Sequence, residues 1–420
     1  MYKISTLSNG IRVVTEYINY VKSVSVGVWI GAGSAMETVK SNGVSHYIEH
    51  MLFKGTSSRS AKEIAEAMDS VGGQLNAVTS KEYTCYYAKT LTEHMDMAFD
   101  ILSDMIINST FTEENIETER RVICEEINMC DDTPEDLIHD LLSNIMWQGD
   151  ALGFPIAGSE KTLAGIDKKV MLDYKDNFYC GENMAISVVG NFDEQQVLDT
   201  LEKRFGSIPQ AYKNIYHQKK IDIKPNIDIV KKDIEQCHIC LGLEGLSRSD
   251  DHFYDLLVVN AILGGNMSSR LFQKVREEQG LAYSIYSYAN TYRKNGSMVI
   301  YAGLNAESLC KALNIIGNEV KLLKSQKLSE DEIKTAKEQF KASVIMGLEG
   351  MSARMSSFGK GILFENKIRN MEETINLIEG VSRDSVAEII DRIFVRDKLN
   401  IALCGKVSAS ENEIIDALDI

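Results

Sequence analysis

The sequence predicts an α+β protein made of two homologous units, because one series of strands and helices is followed by a second in the same order. In the first series, four apolar residues alternate with smaller or polar ones, the period of a half-buried strand: Val24, Val26, Val28 and Ile30. Helical periodicity then predicts four helices: 43–53, 60–71, 93–108 and 112–130. The series closes on the strand "ENMAISVVGN", which ends at Gly190.

The second series repeats this order. "CHICLGLEG" corresponds to the first strand, "SMVIYAGL" to "YTCYYAKT", and "KLNIALCGK" to the closing strand. Each unit is therefore predicted to be an α/β sandwich, with an antiparallel-rich sheet and helices packed on one face. The polar stretch "SIPQAYKNIYHQKKIDIKP" carries two of the chain's four prolines and is typical of a linker. The predicted boundaries are a first domain over 1–210, a linker over 211–225 and a second domain over 226–420.

Composition excludes several classes of function. The chain has 420 residues, of which 44% are hydrophobic and 25% charged, as in soluble globular proteins of more than one domain. A formal net charge of −16 argues against a nucleic-acid partner, which needs a basic surface. The N-terminal "MYKISTLSNGIRVV" has no charged-then-apolar leader, and no apolar run approaches the roughly 18 residues that cross a bilayer. We therefore expect a cytoplasmic protein with no membrane partner.

Cys237 and Cys240 form a C-x-x-C pair, which raises the possibility of a redox or zinc site. The surrounding pattern is extended, so residues three apart point to opposite faces of a strand. No second C-x-x-C completes a set of four ligands. We expect both cysteines to be buried, structural residues.

The segment "HYIEHMLFKGT" contains His46, Glu49 and His50. Residues four apart stack on one face of a helix, so the two imidazoles can meet one metal ion, with Glu49 placed to reach a water. This is the inverted zinc-protease order H-x-x-E-H. The alternative is a polar patch needed for folding. The corresponding segment of the second half, "FYDLLVVNAILGG", has neither the histidine pair nor the glutamate, which favours chemistry confined to the first half.

A catalytic zinc site needs a third protein ligand and one open position. In "TEENIETERRVICEEINMC", after the N-cap candidate Thr112, Glu119 and Glu126 share one helix face with the apolar Ile123 between them. A carboxylate on a packed face requires a partner. A metal ion at Glu126 and a ligand histidine bonded to Glu119 would provide both partners.

From "LSNGIRVV" to "ALCGK" the chain resembles the insulinase/pitrilysin metallopeptidases, in the branch of two-unit bacterial enzymes and mitochondrial processing-peptidase β subunits. That family's third ligand is a glutamate about 76 residues after the second histidine, the spacing between His50 and Glu126. The resemblance implies Zn²⁺ bound by His46, His50 and Glu126, with Glu49 as general base. Glu119 matches the family's companion acid, seven residues before the third ligand.

The resemblance also implies a substrate-binding strand in "GGQLNAVTSKEYTCYY". Asn76 and Ala77 match the positions that pair with the peptide backbone. Main-chain hydrogen bonds at a sheet edge hold any extended peptide while imposing little sequence preference. The alternative is that residues 75–89 form an ordinary core strand.

In the second half, "GGNMSSRLFQKVREEQGLAYSIYS" resembles the family motif that carries an arginine and a tyrosine, here Arg276 and Tyr283. Their implied role is to donate hydrogen bonds to the substrate carbonyl and so stabilise the oxyanion. Taken alone, Arg276 would be a solvated surface charge. We expect Arg270, in the same stretch, to make a structural ion pair.

Together these features predict a zinc metalloendopeptidase that hydrolyses unstructured peptides inside a clamshell chamber closed by its two halves. A dedicated processing peptidase that removes leader segments is one alternative. A non-catalytic scaffold protein on the same fold is the other. Because this chain keeps both the zinc motif and the Arg/Tyr motif, a homodimer is favoured, with a heterodimer containing an inactive partner as the alternative.

Overall fold

The structure is a computed structural model that describes residues 2–211, 219–326 and 328–418. Residues 212–218 of the predicted linker lie outside the described part. None of the helices in these ranges combines the length and apolar character that a membrane crossing needs. The chain divides into two compact units. Unit 1 comprises Met1–Asn128, Phe154–His217 and Met346–Arg369, and unit 2 comprises Met129–Gly153, Gln218–Ile345 and Asn370–Ile420.

The strands form one sheet in each unit. Their bounds are β1 (Tyr2–Thr6), β2 (Arg12–Tyr17), β3 (Ser23–Ile30), β4 (Gln74–Thr79), β5 (Thr84–Leu91), β6 (Met184–Gly190), β7 (Asn226–Lys231), β8 (Gln236–Glu244), β9 (Ala282–Thr291), β10 (Gly296–Asn305) and β11 (Asn400–Gly405). The sheet of unit 1 has six strands in the order β1-β2-β6-β3-β5-β4, and the sheet of unit 2 has five in the order β7-β11-β8-β10-β9.

The helices of the first half are α1 (Val44–Leu52), α2 (Ala61–Asp69), α3 (Met95–Asn108), α4 (Glu113–Asp132), α5 (Pro134–Met146), α6 (Glu160–Leu163), α7 (Lys168–Phe178) and α8 (Glu194–Phe205). Those of the second half are α9 (Phe253–Leu263), α10 (Leu309–Ser325), α11 (Glu330–Gly347), α12 (Met351–Glu365), α13 (Met371–Gly380), α14 (Arg383–Ile393) and α15 (Glu411–Ala417). The four helices predicted between the first strands are thus present, with ends shifted by a few residues.

The two sheets share one pairing pattern. In each, one strand pair is parallel, β2 with β6 and β7 with β11, and the pairs that follow are antiparallel. The three predicted correspondences, β3 with β8, β5 with β10 and β6 with β11, hold in sheet order as well as in sequence order. The α+β class with two related units is therefore confirmed.

One helix in each unit comes from the other half of the chain. In unit 1, α12 packs on β2, β3 and β6, and its Met355 and Phe358 join a buried cluster that includes Trp29. A Cβ at Gly359 would lie 2.0 Å from Trp29 Nε1, so only glycine permits this close approach. Full burial of a side chain such as Phe358 contributes about 1.5–3 kcal/mol. The face of the sheet opposite the one on which α3 packs is thereby covered.

The equivalent helix in unit 2 is α5, which packs on β7, β8 and β11. A Cβ at Gly242 would lie 2.3 Å from the sulfur of Met146, so the helix and the sheet approach each other closely here too. His139 of α5 meets the sheet through a 2.7 Å contact between its Nδ1 and the Tyr288 hydroxyl. Each unit therefore has helices on one face, as predicted, and in addition a helix from the other chain half on the second face.

Candidate metal centre

The start of α1 is fixed by its sequence. Gly43, the N-cap residue, has φ +97°, and a Cβ there would lie 2.7 Å from the Ala157 carbonyl oxygen. The buried Glu37 carboxylate accepts hydrogen bonds from the backbone N–H groups of Gly43 and Ser45, each at 2.8 Å. Negative charge at a helix N-terminus is favourable. Burial raises the pKa of Glu37, and these hydrogen bonds oppose that rise.

Three side chains from α1 and α4 converge at one point. His46 and His50 of α1 have ring centroids 4.6 Å apart. Their Nε2 atoms lie 3.7 and 3.6 Å from the same carboxylate oxygen, Oε2 of Glu126 on α4. The three potential ligand atoms all lie within 4.8 Å of one another. Among the described residues, this is the group of three or more metal-binding side chains found so close together.

These separations fit a zinc ion. Tetrahedral ligands with bonds of about 2.0–2.2 Å stand about 3.4 Å from one another, close to the observed values. The same separations exceed the roughly 3.2 Å limit of a good hydrogen bond. Two imidazoles and one carboxylate are a donor set that suits zinc, whereas calcium and magnesium take oxygen ligands. His46, His50 and Glu126 therefore fit the metal.

The electrostatics of His46 also suit a metal ligand. Burial, followed by repulsion from His50, lowers its pKa to about 4 from the ordinary 6.5. The ring is therefore neutral at neutral pH and keeps a lone pair for metal binding. Its Nδ1 atom is buried and has no hydrogen-bond partner among the described residues.

The second histidine is held differently. Nδ1 of His50 lies 3.1 Å from Oε2 of Glu119, which is only 2% exposed. Oε1 of Glu119 lies 2.7 Å from the Lys54 ammonium. An acceptor at Nδ1 fixes the tautomer that leaves the Nε2 lone pair free. The structure thus brings Glu119 and His50 together, and adds Lys54, which the sequence analysis did not identify.

Glu49 lies on the same helix, between the two histidines. Its Oε2 accepts a hydrogen bond from the Thr79 hydroxyl at the end of β4. Burial raises the pKa of Glu49, and the bond from Thr79 opposes the rise. The Thr79 backbone N–H also bonds the Glu49 carboxylate. The sequence alone does not identify Thr79, because its contact joins a strand to a helix across 30 residues.

Asn76 and Ala77 lie in the middle of β4, the outermost strand of its sheet. Among the described residues, β4 pairs with β5 alone, so its other edge is unpaired. Asn76 is exposed and Ala77 is half-buried. The N–H of Ala77 donates to Oδ1 of Asn76 at 2.8 Å.

Arg276 and Tyr283 belong to unit 2, where the structure brings them together. Arg276 lies in a π-helical turn, Phe272–Glu277, and Tyr283 is the second residue of β9. The Arg276 guanidinium carbon lies 4.7 Å from the Phe272 ring centroid and 5.3 Å from that of Tyr283. Tyr283 is 78% exposed. Arg270 makes the expected structural ion pair, 2.7 Å from Glu332.

The C-x-x-C pair lies in an extended segment, as expected. Cys237 and Cys240 are both buried on β8 and neither forms a disulfide. Cys237 belongs to the main core of unit 2, whereas the sulfur of Cys240 lies 3.4 Å from Nδ1 of His139 on α5. Burial raises the pKa of Cys237 to about 12, so its thiol is protonated at neutral pH.

Two family models match most of the chain. Residues 12–160 match the model described as insulinase (peptidase family M16), and residues 165–340 match the peptidase M16 inactive domain. The chain belongs to the M16 (insulinase) peptidase family. A Bacillus subtilis protein named as an uncharacterized zinc protease is 43% identical over 403 residues, covering 94% of this chain and 97% of that protein. A Mycobacterium tuberculosis protein with a similar name is 35% identical over 396 residues, 93% of this chain and 90% of that protein.

Solved structures agree on the fold. A protease from Helicobacter pylori superposes with a TM-score of 0.90 at 21% identity, covering 96% of this M16 chain and 99% of that one. A Pseudomonas fluorescens structure titled as a peptidase M16 inactive domain gives 0.89 at 17% identity, with 98% and 99% covered. Zinc is the cofactor, since the relatives are named zinc proteases and the group of His46, His50 and Glu126 suits the metal. The M16 chain is thus a zinc peptidase that acts on peptides.

Proposed function

We propose that this chain is a zinc-dependent endopeptidase that hydrolyses unstructured peptides. His46, His50 and Glu126 hold the metal, and Glu49 is the general base. The observation that carries the proposal is the convergence of three ligand atoms within 4.8 Å, two of them from the helix that also carries the Glu49 carboxylate. When bound, zinc supplies Lewis acidity and lowers the pKa of its water to about 7.

Glu49 moves the proton in this proposal. It accepts a proton from the attacking water and later passes it to the leaving amine. The bond from Thr79 orients the Glu49 carboxylate, and burial raises its pKa, which makes the carboxylate a better proton acceptor. Glu119 orients His50 through Nδ1, so that Nε2 faces the metal.

The substrate is proposed to lie along β4 as an added strand. The unpaired edge of β4 supports this placement. The Asn76 side chain accepts a hydrogen bond from the Ala77 N–H and would turn away if the peptide pairs with that group. Recognition by main-chain groups suits extended, unstructured chains, because a folded protein rarely offers a free strand.

Arg276 and Tyr283 are proposed to donate hydrogen bonds to the oxyanion. Tyr283 is exposed, and the Arg276 guanidinium lies near both its ring and that of Phe272. The role requires the two units to close on the substrate and form a chamber. We further propose a cytoplasmic homodimer of active chains, since each chain carries a complete set of site residues. A dedicated leader-processing peptidase is the alternative within the same chemistry.

The experiment combines metal analysis with product mapping. The purified protein should contain about one zinc per chain, consistent with one three-ligand site. It should lose hydrolysis of a quenched-fluorescent peptide in the presence of a chelator, and recover it when zinc is added back. Mass spectrometry of products from a mixed peptide library should show cleavage at internal bonds. A metal-free preparation with full activity would overturn the assignment, and cleavage restricted to one leader-like motif would favour the alternative.

A further inference from the structure

Lys54 lies just beyond the end of α1 and is attached to α4 at two points. Its backbone carbonyl oxygen accepts a hydrogen bond from the Asn115 side-chain amide at 2.8 Å. Its ammonium lies 2.7 Å from Oε1 of Glu119. Asn115 and Glu119 are one turn apart on α4, so the two contacts fix both the backbone and the side chain of Lys54.

The carboxylate that Lys54 contacts is buried. The Glu119 side chain is 3% exposed, and an uncompensated carboxylate in such a place is costly. Within the described residues, its two oxygens have one partner each: Oε1 contacts Lys54 and Oε2 contacts Nδ1 of His50. Because each oxygen has its own partner, the Lys54 contact determines which oxygen is left for His50.

The two histidines of the metal group differ in this respect. Nδ1 of His50 has a carboxylate acceptor, whereas Nδ1 of His46 is buried without any partner among the described residues. His50 is therefore the ligand whose ring orientation and tautomer are fixed by a hydrogen bond from the protein. The ion pair with Lys54 holds the acceptor that does so.

We propose that Lys54 is a positioning residue of the zinc site, and that it acts through Glu119 on His50. This inference rests on the proposed function, specifically on His46, His50 and Glu126 as zinc ligands. Without the ammonium, Oε1 of Glu119 has no partner, and the carboxylate turns to find one. Nδ1 of His50 then loses its fixed acceptor, and the Nε2 lone pair is no longer aimed at the metal. A surface ion pair without this connection would have little effect on metal binding.

The test measures zinc affinity by competition with a chelator of known affinity, independently of peptide hydrolysis. Lys54→Met keeps the length of the side chain and removes its charge, and zinc affinity should fall about 10–100-fold. Lys54→Arg keeps the cation and should restore most of the loss. The matched control is Lys62→Met. Lys62 also pairs with a glutamate, the exposed Glu66 on α2. Lys62→Met should leave zinc affinity unchanged.

A double variant tests the route through Glu119. Lys54→Met combined with Glu119→Gln should bind zinc no more weakly than Glu119→Gln alone, because the lysine then has no carboxylate to hold. Independent, additive losses would overturn the inference, as would wild-type affinity in Lys54→Met. Glu126→Gln is measured alongside. If it also binds zinc like the wild type, the proposed ligand set fails; if it binds weakly while Lys54→Met does not, only the role of Lys54 fails.

Discussion

At the scale of single residues, burial determines the charge of His46 in the metal-free protein. The ring is packed beside His50, and its pKa falls to about 4. Folding therefore requires a neutral ring at this position over a range of pH in which an unfolded histidine would be protonated. A neutral His46 ring suits metal binding, but it also makes the metal-free protein sensitive to acid.

We predict that the metal-free protein loses stability as the pH falls from about 6.5 to about 4. Between these values the unfolded chain binds a proton at His46 that the folded chain does not, so acid favours unfolding. The folded protein keeps its full stability with respect to His46 above pH 6.5. The free energy of unfolding lost below that pH is at most about 3 kcal/mol. Urea unfolding with a chelator present measures it. The stability advantage of the wild type over His46→Gln should shrink with falling pH, and an advantage that stays constant would contradict this account.

Helical spacing made part of the site predictable at this scale. The intervals between His46, Glu49 and His50 translate directly into positions on one helix face. The grouping with Glu126 on a separate helix came from the family resemblance. The contacts of Thr79 with Glu49 and of Lys54 with Glu119 were missed. They join different elements over 30 and 65 residues of sequence, and no periodicity within one element encodes them.

At the scale of elements, the metal centre depends on where α1 begins. Gly43 has a left-handed backbone, and the Ala157 carbonyl and the neighbouring Gly158 lie against it. Glu37 then holds the first turn through backbone N–H groups. His46 follows within that turn, so a displaced helix start would move the first metal ligand.

We predict that Gly43→Ala destabilises the protein by more than the left-handed backbone alone accounts for. That backbone costs a non-glycine residue about 1–2 kcal/mol, and here the new Cβ would also lie 2.7 Å from the Ala157 oxygen. Gly72→Ala is the matched control, because Gly72 has φ +61° with nothing within 4 Å of the added Cβ. Urea unfolding should give a lower free energy of unfolding for Gly43→Ala than for Gly72→Ala. Gly43→Ala should also retain zinc more weakly. Equal losses in the two variants would mean that the close contact is relieved without cost.

The strands were easier to predict than the assignment of helices to sheets. Alternation identified β3, and the repeated order of segments identified β8 and β11 as the counterparts of β3 and β6. The exchange of α5 and α12 between units was not predicted. A helical pattern specifies an apolar face but not the sheet on which that face packs. The need for glycine at position 359 is visible only from its close contact with Trp29 in the structure.

At the scale of the whole molecule, the repeated sheets carry different chemistry. The metal group and its supporting carboxylates lie in unit 1, and the Arg276–Tyr283 pair lies in unit 2. The fold is therefore duplicated, but the site residues are not. The second half has no counterpart of the histidine pair and the glutamate of α1, to which the proposed function assigns roles.

We predict that Tyr283→Phe lowers kcat by about 10²–10³ without loss of zinc, because one oxyanion donor is removed. Phenylalanine keeps the ring that lies 5.3 Å from the Arg276 guanidinium, so the packing of Arg276 should persist. The double variant with Arg276→Ala should be little worse than the poorer single variant if the two act as one unit. Wild-type rates in both single variants, with normal zinc content, would show that these residues take no part in the chemistry.

The central claim is that Glu49 moves the proton while His46, His50 and Glu126 hold zinc. The most direct measurement pairs zinc content with kcat/KM on a quenched-fluorescent peptide for the wild type, Glu49→Gln and Glu126→Gln. Glu49→Gln should keep about one zinc per chain and lose roughly 10²–10⁴ in rate, whereas Glu126→Gln should lose zinc itself. Full activity in Glu49→Gln, or zinc lost from Glu49→Gln and retained by Glu126→Gln, would contradict the account.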